Sequence, residues 1–251
     1  MSELTVAVVA EGESDQVVIK AALTAILGAD CLPLPLKPVP TGQLAPTAQH
    51  TRGEEKGWCG VFQWCRQYRQ ESGGFLEDHP LLSARRFHLV VLHLDADVAE
   101  KRYCDCSNAI AAEAATLEVL PCVDSLPPPC PPVQPATDAL RAVLRSWLLP
   151  TDIGPRTLIC IPSKAIDSWV AAALPDDSNI KLQGDVECDP DVLARLHPLR
   201  KDLRIRRKSS KEYAKHTDRI IAEWSRVCQN CSQARRFHDD VLAAVRSFGR
   251  T

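Results

Sequence analysis

Three carboxylates stand where two apolar runs end. Glu11 follows LTVAVVA at 4–10, and Asp95 and Asp97 follow FHLVVLHL at 87–94. Acidic oxygens at the ends of two buried strands can converge on a hard cation, and oxygen-only ligation favours Mg²⁺ or Mn²⁺, which points to metal-dependent phosphate chemistry. Asp95 and Asp97 are two residues apart. On an extended strand end they face the same way and can present both carboxylates to one site, with Glu11 as a third ligand from a neighbouring strand. The plainer alternative is that Glu11 and Asp15 favour a helix N-terminus and that Asp-Ala-Asp is a polar loop.

The elements that must position these groups can be read from hydrophobic period and turn residues. LTVAVVA is a β-favouring run; Glu11-Gly12 follows, then SDQVVIKAALTAILG with helical spacing and Gly28 as its stop, giving strand, tight turn, helix. The alternating prolines of CLPLPLKPVPTG at 31–42 exclude a helix and allow at most an edge strand or an extended connection. A helix with aromatic residues on one face is expected from Gly57 to about Glu71, ended by Gly73-Gly74. The run at 87–94 is apolar almost throughout, as a strand buried on both faces of a parallel sheet should be. Helix-like residues at 109–120 lead to 121–135, where seven prolines in fifteen residues require an irregular surface loop. A helix from Thr137, a strand at 156–162 and an amphipathic helix from Lys164 complete the alternation. From Asp189 onward the pattern is only helical, ending in two helices expected at 211–227 and 233–248. Residues 1–175 thus read as an α/β core and 176–251 as a basic helical extension packed on it. In a parallel sheet, ligands bind outside the carboxyl ends of the strands, where Glu11, Asp95 and Asp97 all fall.

Composition narrows the class. The 251 residues are 45% hydrophobic, enough for a real core, and no apolar stretch approaches the length of a membrane span. With no signal-like N-terminus, a cytoplasmic protein is expected. Eleven cysteines, odd in number and without regular spacing, read as reduced thiols rather than a disulfide scaffold. Cys104, Cys106, Cys228 and Cys231 could supply four thiolates to zinc, but the pairs are far apart and lack turn glycines. The formal charge of −2 gives no global pull toward nucleic acid, yet Arg200 to Arg219 carries nine Lys/Arg against three acidic residues. Arg206, Arg207, Lys208, Lys211 and Lys215 are its candidate phosphate contacts; 208, 211 and 215 recur at helical spacing and would share a face. A solvated helix face explains the same charges. Lys164 and Asp167 begin the helix after the third strand, again at the carboxyl edge: Lys164 is a candidate catalytic cation, and Asp167 a fourth metal ligand or an ordinary helix-start acid. Trp169 reads as core, and His93, which shares strand parity with Asp95 and Asp97, as a packed residue outside the site.

Taken together, EGESD after the first strand and DAD after a later one resemble the TOPRIM domain of topoisomerases, primases and OLD-type nucleases. IPSKAIDSWVAAAL, with Asp167 two before Trp169, KEYAKHTDRI with its Tyr-x-Lys, and VCQNCSQARRF resemble segments of a small stand-alone TOPRIM-like family associated with phage defence. The resemblance implies a TOPRIM-like (Rossmann-like) α/β fold, a mostly parallel sheet flanked by helices with a C-terminal helical extension. It also implies Mg²⁺ or Mn²⁺ held by Glu11, Asp95 and Asp97, and cleavage of DNA or RNA in a bacterial antiviral system. Many TOPRIM sequences place a glycine soon after the Asp-x-Asp, whereas this chain continues VAEKRYCDC. It has no Gly-x-x-x-x-Gly-Lys-Ser/Thr motif, so an ATPase would be a separate subunit. Self-association is left open, and no membrane partner is expected. A non-catalytic TOPRIM-fold interaction or regulatory subunit is the second expectation; a phosphotransferase or hydrolase acting on nucleotides is the third.

Overall fold

A computed structural model describes residues 4–37, 56–70, 73–117, 130, 133–174, 186–189, 191–199 and 201–248. In chain order the regular elements are β1 (Leu4–Val9), α1 (Glu13–Leu27), β2 (Cys31–Lys37), α2 (Gly57–Tyr68), α3 (Pro80–Ser83), β3 (Leu89–His93), α4 (Asn108–Ala114) and α5 (Val133–Leu148). They continue with β4 (Thr157–Cys160), α6 (Asp167–Ala172), α7 (Val192–Leu196), α8 (Ser210–Ala214), α9 (Thr217–Ala222), α10 (Trp224–Asn230) and α11 (Ser232–Phe248). The four strands form one parallel sheet in the order β2-β1-β3-β4, flanked by helices, an α/β Rossmann-like arrangement with helices at the C-terminal end.

Strict alternation explains why the central strands are apolar throughout. Val6, Val8, Leu89, Val91, Leu158 and Cys160 face α1, α6 and the C-terminal helices. Ala7, Val9, Val90, Leu92 and Ile159 face α2 and α5, where Phe62, Tyr103 and Trp147 pack edge to face. Trp147 is fully buried, and its indole N–H donates to the Tyr103 hydroxyl at 2.7 Å, so no buried donor is left over there. The first core layer also contains Tyr213, Ile220, Trp224, Val227 and Phe237, so residues expected in an extension complete one core with the sheet. Trp169 lies inside it against Trp224 and Phe237, as core.

The proline-rich segment is an edge strand for a specific reason. The Leu4 N–H donates to the Asp30 carbonyl, and alternation then turns even-numbered residues of β2 toward β1. Pro33 and Pro35, opposite Val6 and Val8, point their missing N–H at the open edge, where none is needed. Gly28 ends α1 at φ +86°, its N–H donating to the Thr24 carbonyl at 2.9 Å.

Several expectations change. The helix before β4 starts at Val133, and the helix after β4 starts only at Asp167, because Lys164 takes φ +49° and breaks the chain's approach to it. The terminal helix expected at 211–227 is three short ones, and α8 and α9 wrap α1. Most of the proline-rich loop at 121–135 lies outside the described residues. The reduced-thiol expectation holds for six described cysteines, Cys31, Cys65, Cys104, Cys160, Cys228 and Cys231, and is corrected for four: Cys59–Cys106 and Cys130–Cys188 are disulfides, with Cα–Cα distances of 5.7 and 5.1 Å. Their partners are 47 and 58 residues apart, pairings that no local spacing reveals. Cys106 is therefore not available to a four-thiolate zinc site. No described helix is long and apolar enough to cross a membrane.

Candidate functional site

The carboxyl ends of β1 and β3 are tied together by their acids. Glu11 Oε1 accepts the Asp95 N–H at 2.7 Å, and Asp95 Oδ1 accepts the Ile166 N–H at 3.0 Å. Asp95 thus fixes the approach to α6, whose first residue is Asp167. Asp15, in the first turn of α1, is brought in because Gly12 allows a tight turn: a Cβ there would stand 3.2 Å from Asp15 Oδ2.

One cation serves this group. Lys208 Nζ lies 3.5 Å from Asp95 Oδ2, 3.6 Å from Asp15 Oδ1 and 4.0 Å from Asp167 Oδ2. The three carboxylates are buried, while the lysine side chain is 40% exposed and reaches in from the surface. The Tyr213 hydroxyl donates to Asp167 Oδ1. His93 Nε2 is 3.3 Å from Asp95 Oδ1, an electrostatic contact rather than an aligned hydrogen bond, and its Nδ1 has no partner among the described residues.

Protonation follows from burial and from this neighbourhood. Burial pushes the Glu11 carboxyl well up, and the Asp95 charge adds to it; the same two causes raise Asp15. Burial also pushes Asp95 up, but His93, Lys208 and the Ile166 N–H outweigh it and hold this carboxyl below the usual range. Asp167 is pushed up to about 6 by burial, with Lys208 opposing. Burial presses the Lys208 ammonium toward a lower value; the Asp95, Asp15 and Asp167 charges outweigh that and hold it firmly protonated.

Of the residues expected in the site, Glu11, Asp95 and Asp167 meet here, and so does Lys208. Asp97 stands at the margin of this group: burial and the Asp95 charge push its carboxyl up, and its charge is felt in turn by Glu11 and Asp167. The strand ends at His93 and residues Ala96–Glu100 wind into a 3₁₀ turn, so the two-residue period of a strand no longer applies. Asp97 instead lies 3.9 Å from Lys101, and its N–H donates to the Lys164 carbonyl. Lys164 turns its ammonium to Glu100 at 3.1 Å, outside the carboxylate group. The helical face expected for 208, 211 and 215 does not form, because Lys208 precedes the Ser209 cap and α8 ends at Ala214. Arg206, Arg207 and Lys211 are exposed, and Lys215 pairs with Glu212. Sequence reading missed Asp15, Tyr213 and the His93 contact. The strand parity of His93 was the one available signal for that contact.

Among the described residues, no three His, Cys, Asp or Glu side chains stand close enough together to hold a metal ion in this conformation. The donors fit a hard cation in kind, all being carboxylate oxygens, and three are already drawn to one point. That point holds the Lys208 ammonium. Comparison of the chain with family models, curated proteins and solved structures returns no match.

Proposed function

We propose that the chain is a Mg²⁺- or Mn²⁺-dependent nuclease of the TOPRIM type, hydrolysing phosphodiester bonds of DNA or RNA in a bacterial antiviral system together with a separate ATPase. The observation that carries this reading is the convergence of Asp15, Asp95 and Asp167 on one cationic point at the carboxyl end of a parallel sheet. Asp95, the acid held most firmly ionised, is the principal ligand. Glu11 locks its backbone, and Asp15 and Asp167 complete the oxygen set. A divalent ion held by these acids would supply an activated water and neutralise charge on the scissile phosphate. Lys208 yields the central position and turns outward to the phosphate backbone, beside Arg206 and Arg207. The cytoplasmic setting belongs to the same reading; the two disulfides bear against it, since such bonds persist in oxidising compartments.

A second reading, a non-catalytic interaction subunit, is favoured by Lys208 itself, whose ammonium already satisfies the acids without a metal. Cleavage of single- and double-stranded DNA and RNA in Mg²⁺ or Mn²⁺, with and without any ATPase found encoded beside it, separates the two. The nuclease reading expects cutting that Asp95→Asn abolishes and Glu11→Gln reduces at least a hundredfold. If the wild type is as inert as both variants in every metal and with the partner, the subunit reading stands.

A further inference from the structure

A second polar concavity lies along the free edge of β4, away from the carboxylates. It is a cleft of about 500 Å³ between the first residues of β4, α5 and α11, with the guanidiniums of Arg141, Arg145 and Arg236 on its walls. Arg145 and Arg236 are solvent-facing and have carboxylates nearby, Asp152 at 3.5 Å and Asp138 respectively, pairs of the exposed kind that exchange readily. Arg141 differs. Its side chain is only 13% exposed, its one carboxylate contact is Asp240 at 3.8 Å, and its buried Nε has no hydrogen-bond partner among the described residues. A guanidinium carries five donors, and burying one of them without an acceptor is costly unless an anion arrives. Burial and the neighbouring Arg236 charge both press Arg141 toward losing its proton, so the two cations are under mutual repulsion.

The edge of the sheet adds backbone donors. The carbonyls of Arg156 and Cys160 bond to β3, so alternation turns the N–H and C=O of Ile159 toward the open side. Pro155, Ala243 and Ala244 give the cleft an apolar floor. Three guanidiniums line one cleft, and a phosphate monoester, which carries more charge than a carboxylate and matches the arginine fork, can displace the exposed Asp138 from Arg236 and meet the unpartnered Nε of Arg141. The volume lies in the range of small-molecule sites. We propose that this cleft binds a small phosphorylated ligand of mononucleotide size, its phosphate on Arg141 and Arg236 and its remainder on the apolar floor.

Calorimetric titration of the full chain with AMP tests this, with adenosine and inorganic phosphate as separate arms. The expected result is saturable AMP binding, competition by inorganic phosphate, and adenosine at least tenfold weaker. Arg141→Met and Arg236→Met should each weaken AMP roughly ten- to hundredfold, the loss of charge-assisted hydrogen bonds to phosphate. Glu11→Gln, at the other end of the sheet, should leave AMP affinity unchanged. Should Arg141→Met fail to fold, the more exposed Arg236 carries the test. The proposal is overturned if neither AMP nor phosphate binds at millimolar concentration. It is equally overturned if affinity is the same in wild type and Arg236→Met.

Discussion

At the carboxyl end of the sheet, three buried carboxylates share an ammonium delivered by Lys208, from near the other end of the chain. At the free edge of β4, a buried guanidinium faces another cation and has one carboxylate at 3.8 Å. The first region draws several acids onto one ammonium; in the second each arginine has a carboxylate, but the buried Nε of Arg141 is left without an acceptor among the described residues. The difference teaches that burial of charge is not by itself a sign of function. Where a buried charge has its partners the group also holds the fold together, and where a donor is left over a ligand can supply the acceptor.

The largest test of this contrast is Lys208→Met, which strands three buried acids. Removing one partner of a buried ion pair costs roughly 3–5 kcal/mol, and partial exposure of the lysine places the expected loss at the low end, about 3 kcal/mol at pH 7 in urea unfolding. The loss should shrink by more than half at pH 5, as the acids take up protons. In the wild type, Asp167 titrates at about 6 in the folded state and near its ordinary value of 3.8 when unfolded. Between those values the folded protein binds more protons, so its stability falls as pH rises through that window, by about 3 kcal/mol from this group. Asp95 works in the opposite sense: its folded value is depressed, and its contribution is lost as pH falls below the usual carboxylate range. Urea midpoints should therefore be higher near pH 5 than at pH 7, and a higher midpoint at pH 7 would contradict the assigned charge pattern.

The edge of β4 gives smaller effects. Gly154→Ala would drive a Cβ into the buried Glu77 carboxylate, which accepts the Arg156 N–H and the Thr157 hydroxyl at the start of β4. Overpacking of this kind costs about 2 kcal/mol, visible as a lowered thermal midpoint. Arg141→Met should do the opposite of Lys208→Met and raise stability by about 1 kcal/mol in the absence of ligand, because it removes a buried charge that lacks a good partner. Equal losses in both variants would erase the contrast. The smallest effect is Ser209→Ala: the Ser209 hydroxyl accepts the Glu212 N–H at the start of α8, next to Lys208, and its loss should cost about 0.5–1 kcal/mol.

Much of the fold was legible because its signals are local. The apolar runs at 4–10 and 87–94 mark strands buried on two faces, and Pro33 and Pro35 restrict 31–37 to an edge. Glu11 and Asp95 were legible as strand-end acids. The extended geometry expected for Asp97 did not hold, because the chain leaves the extended state after His93, which its residue types do not announce. Lys208 was legible as basic but not as an inward-facing counter-ion, and the two disulfides join cysteines with no spacing pattern.

The sequence by itself determined the central strands, that the proline-rich stretch could be no more than an edge strand or an extended connection, and that acids stand at the carboxyl ends of β1 and β3, since each follows from residue period and backbone chemistry over a few positions. Only the tertiary structure decided which cation meets those acids, that Asp15 and Asp167 join them, and that Arg141 is left short of partners. Such meetings depend on packing between segments far apart in the chain, and the pairing of their charges leaves no periodic trace in either segment.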